Sequence, residues 1–250
     1  MRMRCVVRSG TTLVELLVVL TIGAVLAGIF ARTVITQRRA EQRSADALER
    51  DVAVDEALAV LTSALARAAG TDSLTVRADT ALELRATVGI AVACVAAADS
   101  VVVPDSGSAA WWEASPDTAD TAELGDASGA WVARRVVLVR ALGPGGPCAA
   151  SHHTLKLAAG AAFGAAPLVR TTRRLRFMLY KGGEGLWWLG ERACSGAPLK
   201  CDAAQPIAGP LSAPPAGLRI TIDSSSGAKR VSITAASGTA TRSVSVVVPP

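Results

Sequence analysis

Between Leu16 and Ala31 the chain carries no charge, and Thr21 is the single polar side chain. Counted from Thr11, the apolar segment reaches about 20 residues, the helix length that crosses a ~30 Å hydrocarbon core. Glu15 is the one charge inside it. An ionisable group at membrane depth costs roughly 2.5–3.5 kcal/mol, so this acid asks for a cationic partner in an assembled state. From Arg32 to Ala69 there is neither proline nor glycine, and good helix formers dominate. Val54, Leu58, Leu61, Leu65 and Ala68 recur at three- and four-residue spacing and form one apolar face. The pattern predicts a helix from Thr12 to Ala69, apolar all round in its first half and amphipathic in its second. Gly70 stands at the C-cap.

Beyond Gly70 the period changes to two. Ser73–Arg77 and Ala81–Arg85 alternate as half-buried strands do, while Gly89–Ala96 and Ser100–Val103 are more continuously apolar. Pro104–Gly129 is rich in Asp, Ser, Ala and Gly and is expected to be a long surface loop. Trp131–Ala141 and Leu155–Leu157 read as strands. Thr171–Tyr180, with alternating arginines, and Leu186–Leu189 make a hairpin around Lys181–Gly185. Leu218–Asp223 and Arg230–Thr234 make a second, and Thr241–Val248 supplies a last strand. The fold class expected is α+β.

The N-terminus carries a further signal. A basic leader (Arg2, Arg4, Arg8), Gly10, Thr11-Thr12, then Leu13-Val14-Glu15-Leu16-Leu17-Val18-Val19-Leu20 and an apolar tail resembles the type IV prepilin signal. That family comprises type IV pilins and the pseudopilins of type II secretion systems. The resemblance implies cleavage by a prepilin peptidase after Gly10 and N-methylation of the new terminus, Thr11. It also implies pairing of Glu15 with the N-terminal amine of a neighbouring subunit. The family usually has Phe, or sometimes Met, where this chain has Thr11. The order of strands, the Gly-Leu-Trp-Trp segment and the cysteine-bearing loop are similar to the large minor subunits, the type II secretion J component and the W-type minor pilin. The resemblance divides the chain into a cleaved leader (1–10), a transmembrane and filament-core helix (11–35), its amphipathic continuation (36–70) and a periplasmic β-rich domain (71–250). The helix is expected to pack against an antiparallel sheet, as in pilins.

The implied function is that of a minor pilin or minor pseudopilin, a non-enzymatic subunit at or near a filament tip. Its implied partners are other pilin or pseudopilin subunits, the prepilin peptidase and the inner-membrane assembly platform. Three leader arginines place the N-terminus in the cytoplasm, whereas Arg32, Arg38, Arg39 and Arg43 oppose that rule. The resemblance decides for a single-pass inner-membrane protein with its C-terminal domain in the periplasm. A secretory signal peptide ends in a small-residue site after 7–15 apolar residues. A membrane-anchored periplasmic binding or enzymatic domain is the alternative function. Both leave Glu15 without a role.

The net charge of +5 falls to +2 once the three leader arginines are removed, and no basic stripe interleaved with aromatics appears. Nucleic acid is therefore not an expected partner. Cys5 lies in the leader, which leaves Cys94, Cys148, Cys194 and Cys201. An even number outside the cytoplasm favours disulfides. Cys194 and Cys201 close a short Gly/Pro loop and are expected to pair, with Cys94 and Cys148 remaining. Neither pair has CxxC spacing, which counts against zinc, and no cofactor is expected.

Other candidates read more simply. His152-His153 are expected as a solvent-exposed loop pair. Asp117, Asp120, Glu123 and Asp126 lack EF-hand spacing and are expected in a solvated loop. Ser195 lacks the GxSxG elbow. Gly23 and Gly28, five apart, are not a GxxxG pair. In Trp111-Trp112 and Trp187-Trp188 one ring of each pair is expected to be exposed.

Overall fold

The computed structural model describes residues 13–69, 74–125, 131–148, 151–158, 167–195, 199–225 and 228–248. The leader, the Gly10–Thr11 junction, Gly70, Ser73 and Asp126 lie outside these residues.

Helix α1 runs Leu13–Ala66, 54 residues without a break. It closes in a tighter turn, with the Arg67 and Ala68 amides donating to the Ala64 and Leu65 carbonyls. The chain divides into two units, Met1–Glu49 and Arg50–Pro250. In the first, every described residue is exposed and helical. In the second, Val54, Ala57, Leu58, Leu61 and Leu65 are buried, on the face that their spacing predicts.

Fifteen strands are described: β1 (Thr75–Ala78), β2 (Ala81–Val92), β3 (Val95–Ala97), β4 (Ser100–Pro104), β5 (Ala110–Trp112), β6 (Thr121–Gly125), β7 (Trp131–Leu142), β8 (His152–Leu157), β9 (Leu168–Lys181), β10 (Trp187–Ser195), β11 (Lys200–Cys201), β12 (Gln205–Leu211), β13 (Leu218–Ser225), β14 (Ala228–Ser237) and β15 (Ala240–Val248). Twelve form one antiparallel sheet with the order β1-β2-β9-β6-β7-β8-β4-β3. β5 is added to β2, and β10, carrying β11 and β12, is added to β9. β13-β14-β15 form a separate sheet. The fold is α+β, with one long apolar N-terminal helix and a large antiparallel β domain.

Two cores hold the second unit. The larger joins the buried face of α1 to Leu82 and Leu84 of β2, Phe177 of β9, Leu189 of β10, and Ile220 and Ile233 of the three-stranded sheet. The smaller gathers Val101, Val103, Ala122, Leu124, Leu155 and Val169. Aromatics are few, so these aliphatic side chains carry the stability, about 1.5–3 kcal/mol for each one fully buried.

Both expected hairpins are present, β9–β10 and β13–β14. Other expectations are corrected. The segments Ala81–Arg85 and Gly89–Ala96 do not give two strands: β2 is continuous to Val92, with a register shift between Thr87 and Gly89. Gly89 is needed there, because a Cβ would lie 1.8 Å from the Trp112 ring. Pro104–Gly129 is not one loop. It holds β5 and β6, and β6 is an interior strand between β7 and β9 whose Ala122 and Leu124 fill the smaller core. β12 was hidden by Pro206 and Pro210; among the described strands it pairs with β10 alone, so a missing N–H is tolerated at that edge.

Candidate functional site

Two features of the molecule carry chemistry. The first is the exposed stretch of α1. Leu13, Val14, Leu16, Leu17, Val18, Val19, Leu20, Ile22, Val25, Leu26, Ile29 and Phe30 all face outward. The helix is long and apolar enough to cross a membrane. Thr21 donates its hydroxyl to the Val18 carbonyl at 2.9 Å, which satisfies the one polar side chain between Leu16 and Ala31 within the helix itself. Glu15 lies in the first turn, where the helix dipole favours an anion. Gly23 and Gly28 have nothing within 4 Å of the position a Cβ would take.

The second feature is a row of arginines on the large sheet. Alternation along β9 sends Arg170, Thr172, Arg174 and Arg176 to one face. Cross-strand registry then sets Glu83 beside Arg176 and Arg85 beside Arg174. On the other edge of β9, Arg174 pairs with Cys194 of β10 and Thr172 pairs with Thr121 of β6. β9 thus changes its neighbour at Arg173, from β6 to β10, and the sheet forks. A cleft of about 450 Å³ opens there, lined by Arg85, Arg135, Arg174, Thr118, Thr121 and Ser195 among others.

The electrostatics of this face are lopsided. Glu83, with its side chain 6 % exposed, accepts from Arg176 Nη2 at 2.7 Å and from Arg77 Nε at 3.2 Å. It also lies 3.6 Å from Arg174 Nε. Burial raises the Glu83 pKa, but the hydrogen bonds from Arg176 and Arg77, with their charges, outweigh it and leave it lowered. Glu123 accepts from Arg170 Nε at 2.7 Å and lies 3.7 Å from Arg85 Nη1. The Arg170 guanidinium also covers the Trp131 ring at 4.8 Å. Arg135, exposed on β7, has no carboxylate partner among the described residues.

The acids expected in a solvated loop are therefore placed otherwise. Asp120 is fully buried, and Arg173 donates to it through Nε at 2.6 Å and Nη2 at 3.0 Å. The Asp117 amide donates to it at 2.8 Å. The hydrogen bond to Asp120 raises the Arg173 pKa, against the opposing effect of burial. Glu123 is buried on β6. Of the described acids in this group, Asp117, which accepts from the Thr118 amide at 2.5 Å, keeps a loop role.

The histidines are corrected too. His152 and His153 lie on β8 and are both buried. His153 Nε2 is 2.7 Å from Asp105 Oδ1, and its ring meets Trp112 edge-on at 6.3 Å. Trp111 is half exposed, while Trp112 is covered and donates its indole N–H to the Pro104 carbonyl at 2.9 Å. In the second pair neither ring is exposed. Trp187 packs against the larger core, and Trp188 lies over Gly182 and Gly209.

Both disulfides are formed as expected. Cys194–Cys201 joins directly opposed positions of β10 and β11, with Cα atoms 4.0 Å apart. Cys94–Cys148 spans 54 residues with Cα atoms 5.6 Å apart. Gly10, Thr11, Arg2, Arg4 and Arg8 lie outside the described residues. No protein-family model matches the chain, and no curated protein or solved structure matches it either.

The arginine face is the feature that sequence reasoning missed. Its signal was present in the run Arg170–Arg176, but its meaning depends on Glu83, Arg85, Thr121 and Arg135, which reach it only through strand pairing.

Proposed function

We propose that the chain is a structural subunit of a type IV pilin-like filament, a minor pilin or minor pseudopilin assembled at or near the tip. The observation that carries this reading is an apolar helical stretch, exposed on all sides from Leu13 to Phe30, with a single carboxylate in its first turn. Such a surface needs lipid before assembly and other helices after it. Glu15 gives the two states different energies. In lipid it sits at the helix end, where it reaches the headgroups. In a bundle it meets the amine of a neighbouring subunit, which relieves the cost of a carboxylate in a low-dielectric site.

In this reading the basic leader stays in the cytoplasm and the prepilin peptidase cuts between Gly10 and Thr11. Glycine at that point suits a protease subsite that cannot admit a Cβ. The β domain resides in the periplasm, a compartment in which the two disulfides persist. The protein is then the substrate of a processing enzyme and a partner of other pilin-like subunits and of the inner-membrane platform.

Replacing Gly10 by leucine tests the reading. The wild-type membrane protein should migrate ten residues shorter than Gly10→Leu, and equal sizes would contradict the proposal. Glu15→Ala tests the pairing role: processing should persist while incorporation into filaments fails. Normal incorporation would refute that role.

A further inference from the structure

We infer that the forked cleft on the large sheet is a binding site for a phosphate monoester of about sugar-phosphate size. Charge points to it, independently of the filament reading. On this face Arg77, Arg85, Arg170, Arg174 and Arg176 share two carboxylates, Glu83 and Glu123. Arg135 shares none among the described residues. Six arginines against two glutamates leave four positive charges over, gathered on adjacent strands.

The excess is concentrated at the cleft. Among the described residues its charged lining side chains are Arg85, Arg135 and Arg174, and none of the described lining residues is acidic. The two of these with carboxylate neighbours have them only at 3.7 and 3.6 Å, beyond good hydrogen-bond distance. Glu83 and Glu123 spend their short bonds on Arg176, Arg77 and Arg170, outside the lining. The guanidinium forks of Arg85 and Arg174 therefore keep donors to spare. Next to them Arg192, which pairs with Arg176 across β9 and β10, has a buried Nε without a partner among the described residues.

The chemistry of the lining narrows the ligand. Guanidinium groups match planar or tetrahedral oxyanions through two parallel N–H bonds, and they stay charged at any physiological pH. Thr118, Thr121 and Ser195 add hydroxyls beside them. Three cations suit a dianion better than a carboxylate, and hydroxyls that donate and accept suit a polyol. A volume of about 450 Å³ is within the range of small-ligand sites. The wall of the cleft at Cys194 is fixed by the cross-strand disulfide to Cys201.

The test is calorimetric titration of the full chain in a non-ionic detergent with glucose 6-phosphate, with inorganic phosphate and with glucose. Vesicles containing phosphatidic acid form a fourth arm, for a lipid source of the same group. Glucose 6-phosphate should bind saturably and glucose should not. Arg135→Gln, a change at an exposed side chain, should weaken binding about tenfold or more, the usual worth of a charge-assisted hydrogen bond. Arg140→Gln, on the same strand but outside the cleft lining, should leave it unchanged. Binding of phosphatidic acid vesicles that Arg135→Gln abolishes would assign the same site to a headgroup. Saturable binding of none of the phosphate probes, equal binding of glucose, or affinity indifferent to Arg135→Gln would overturn the inference.

Discussion

The pair Asp120–Arg173 offers the sharpest test of how the domain is held together. Asp120 has no exposed surface and accepts three hydrogen bonds, at 2.6 and 3.0 Å from Arg173 and at 2.8 Å from the Asp117 amide. The Arg173 side chain is 18 % exposed. Asp120→Ala removes the acid and strands most of a guanidinium in the interior, which costs about 3–5 kcal/mol. An acid in a solvated loop would cost less than about 1 kcal/mol. Arg173→Met should cost as much as Asp120→Ala, by leaving the carboxylate unpaired. The double variant should cost far less than the sum, because neither charge then remains to be buried alone. The measurement is guanidinium unfolding of the detergent-solubilised full chain, followed by tryptophan fluorescence; all five tryptophans lie in the second unit. The shift of the midpoint at constant slope gives the change in stability. A cost below about 1 kcal/mol for Asp120→Ala, with additivity in the double variant, would refute the reasoning.

Further predictions use the same assay. In the chain-entropy estimate, opening the 54-residue separation of Cys94–Cys148 should cost about 4 kcal/mol, and opening the 7-residue separation of Cys194–Cys201 about 2.5 kcal/mol, so the paired Cys→Ser variants should differ in that order. Equal costs would contradict the ranking. Burial raises the Glu191 pKa, with Arg67 and Arg173 pulling it back only in part. A raised folded-state value means that the contribution of Glu191 is present below the ordinary glutamate range and is lost as pH rises through the raised value. Glu191→Gln should therefore stabilise the protein at pH 7 relative to wild type and match it near pH 3. Glu83 has the opposite sign. Its lowered pKa gives stability that is present above the ordinary range and lost as pH falls through the lowered value, so Glu83→Gln should be destabilising at pH 7 and less so near pH 3.

The helix and hairpins were legible because their signals are local. Thirty-eight consecutive residues without proline or glycine, Arg32–Ala69, leave few alternatives to a helix, and the spacing of Val54, Leu58, Leu61 and Leu65 names the buried face. Lys181–Gly185 lies between two apolar runs, and that places one turn. The cysteines paired as expected because the shorter loop leaves the other two together. Features set by distant partners were not legible. Thr121–Gly125 sits in a stretch rich in Asp, Ser and Gly, and only its pairing with β7 and with the distant β9 makes an interior strand of it. His153 is buried because Asp105, 48 residues earlier, lies 2.7 Å from its Nε2. The proline pair of β12 reads as a turn until β10 supplies an edge. Alternating arginine along β9 was visible, but its excess of charge emerges only when five strands, β1, β2, β9, β6 and β7, are laid side by side.

In the mature protein, the proposed role of the exposed apolar helix is to begin at a processed terminus and serve assembly. The direct measurement is the intact mass and N-terminal sequence of the protein purified from membranes of its native cell. The predicted chain starts at Thr11, lacks Arg2, Arg4 and Arg8, and carries its disulfides. A chain that starts at Met1 with the leader in place would contradict the proposal.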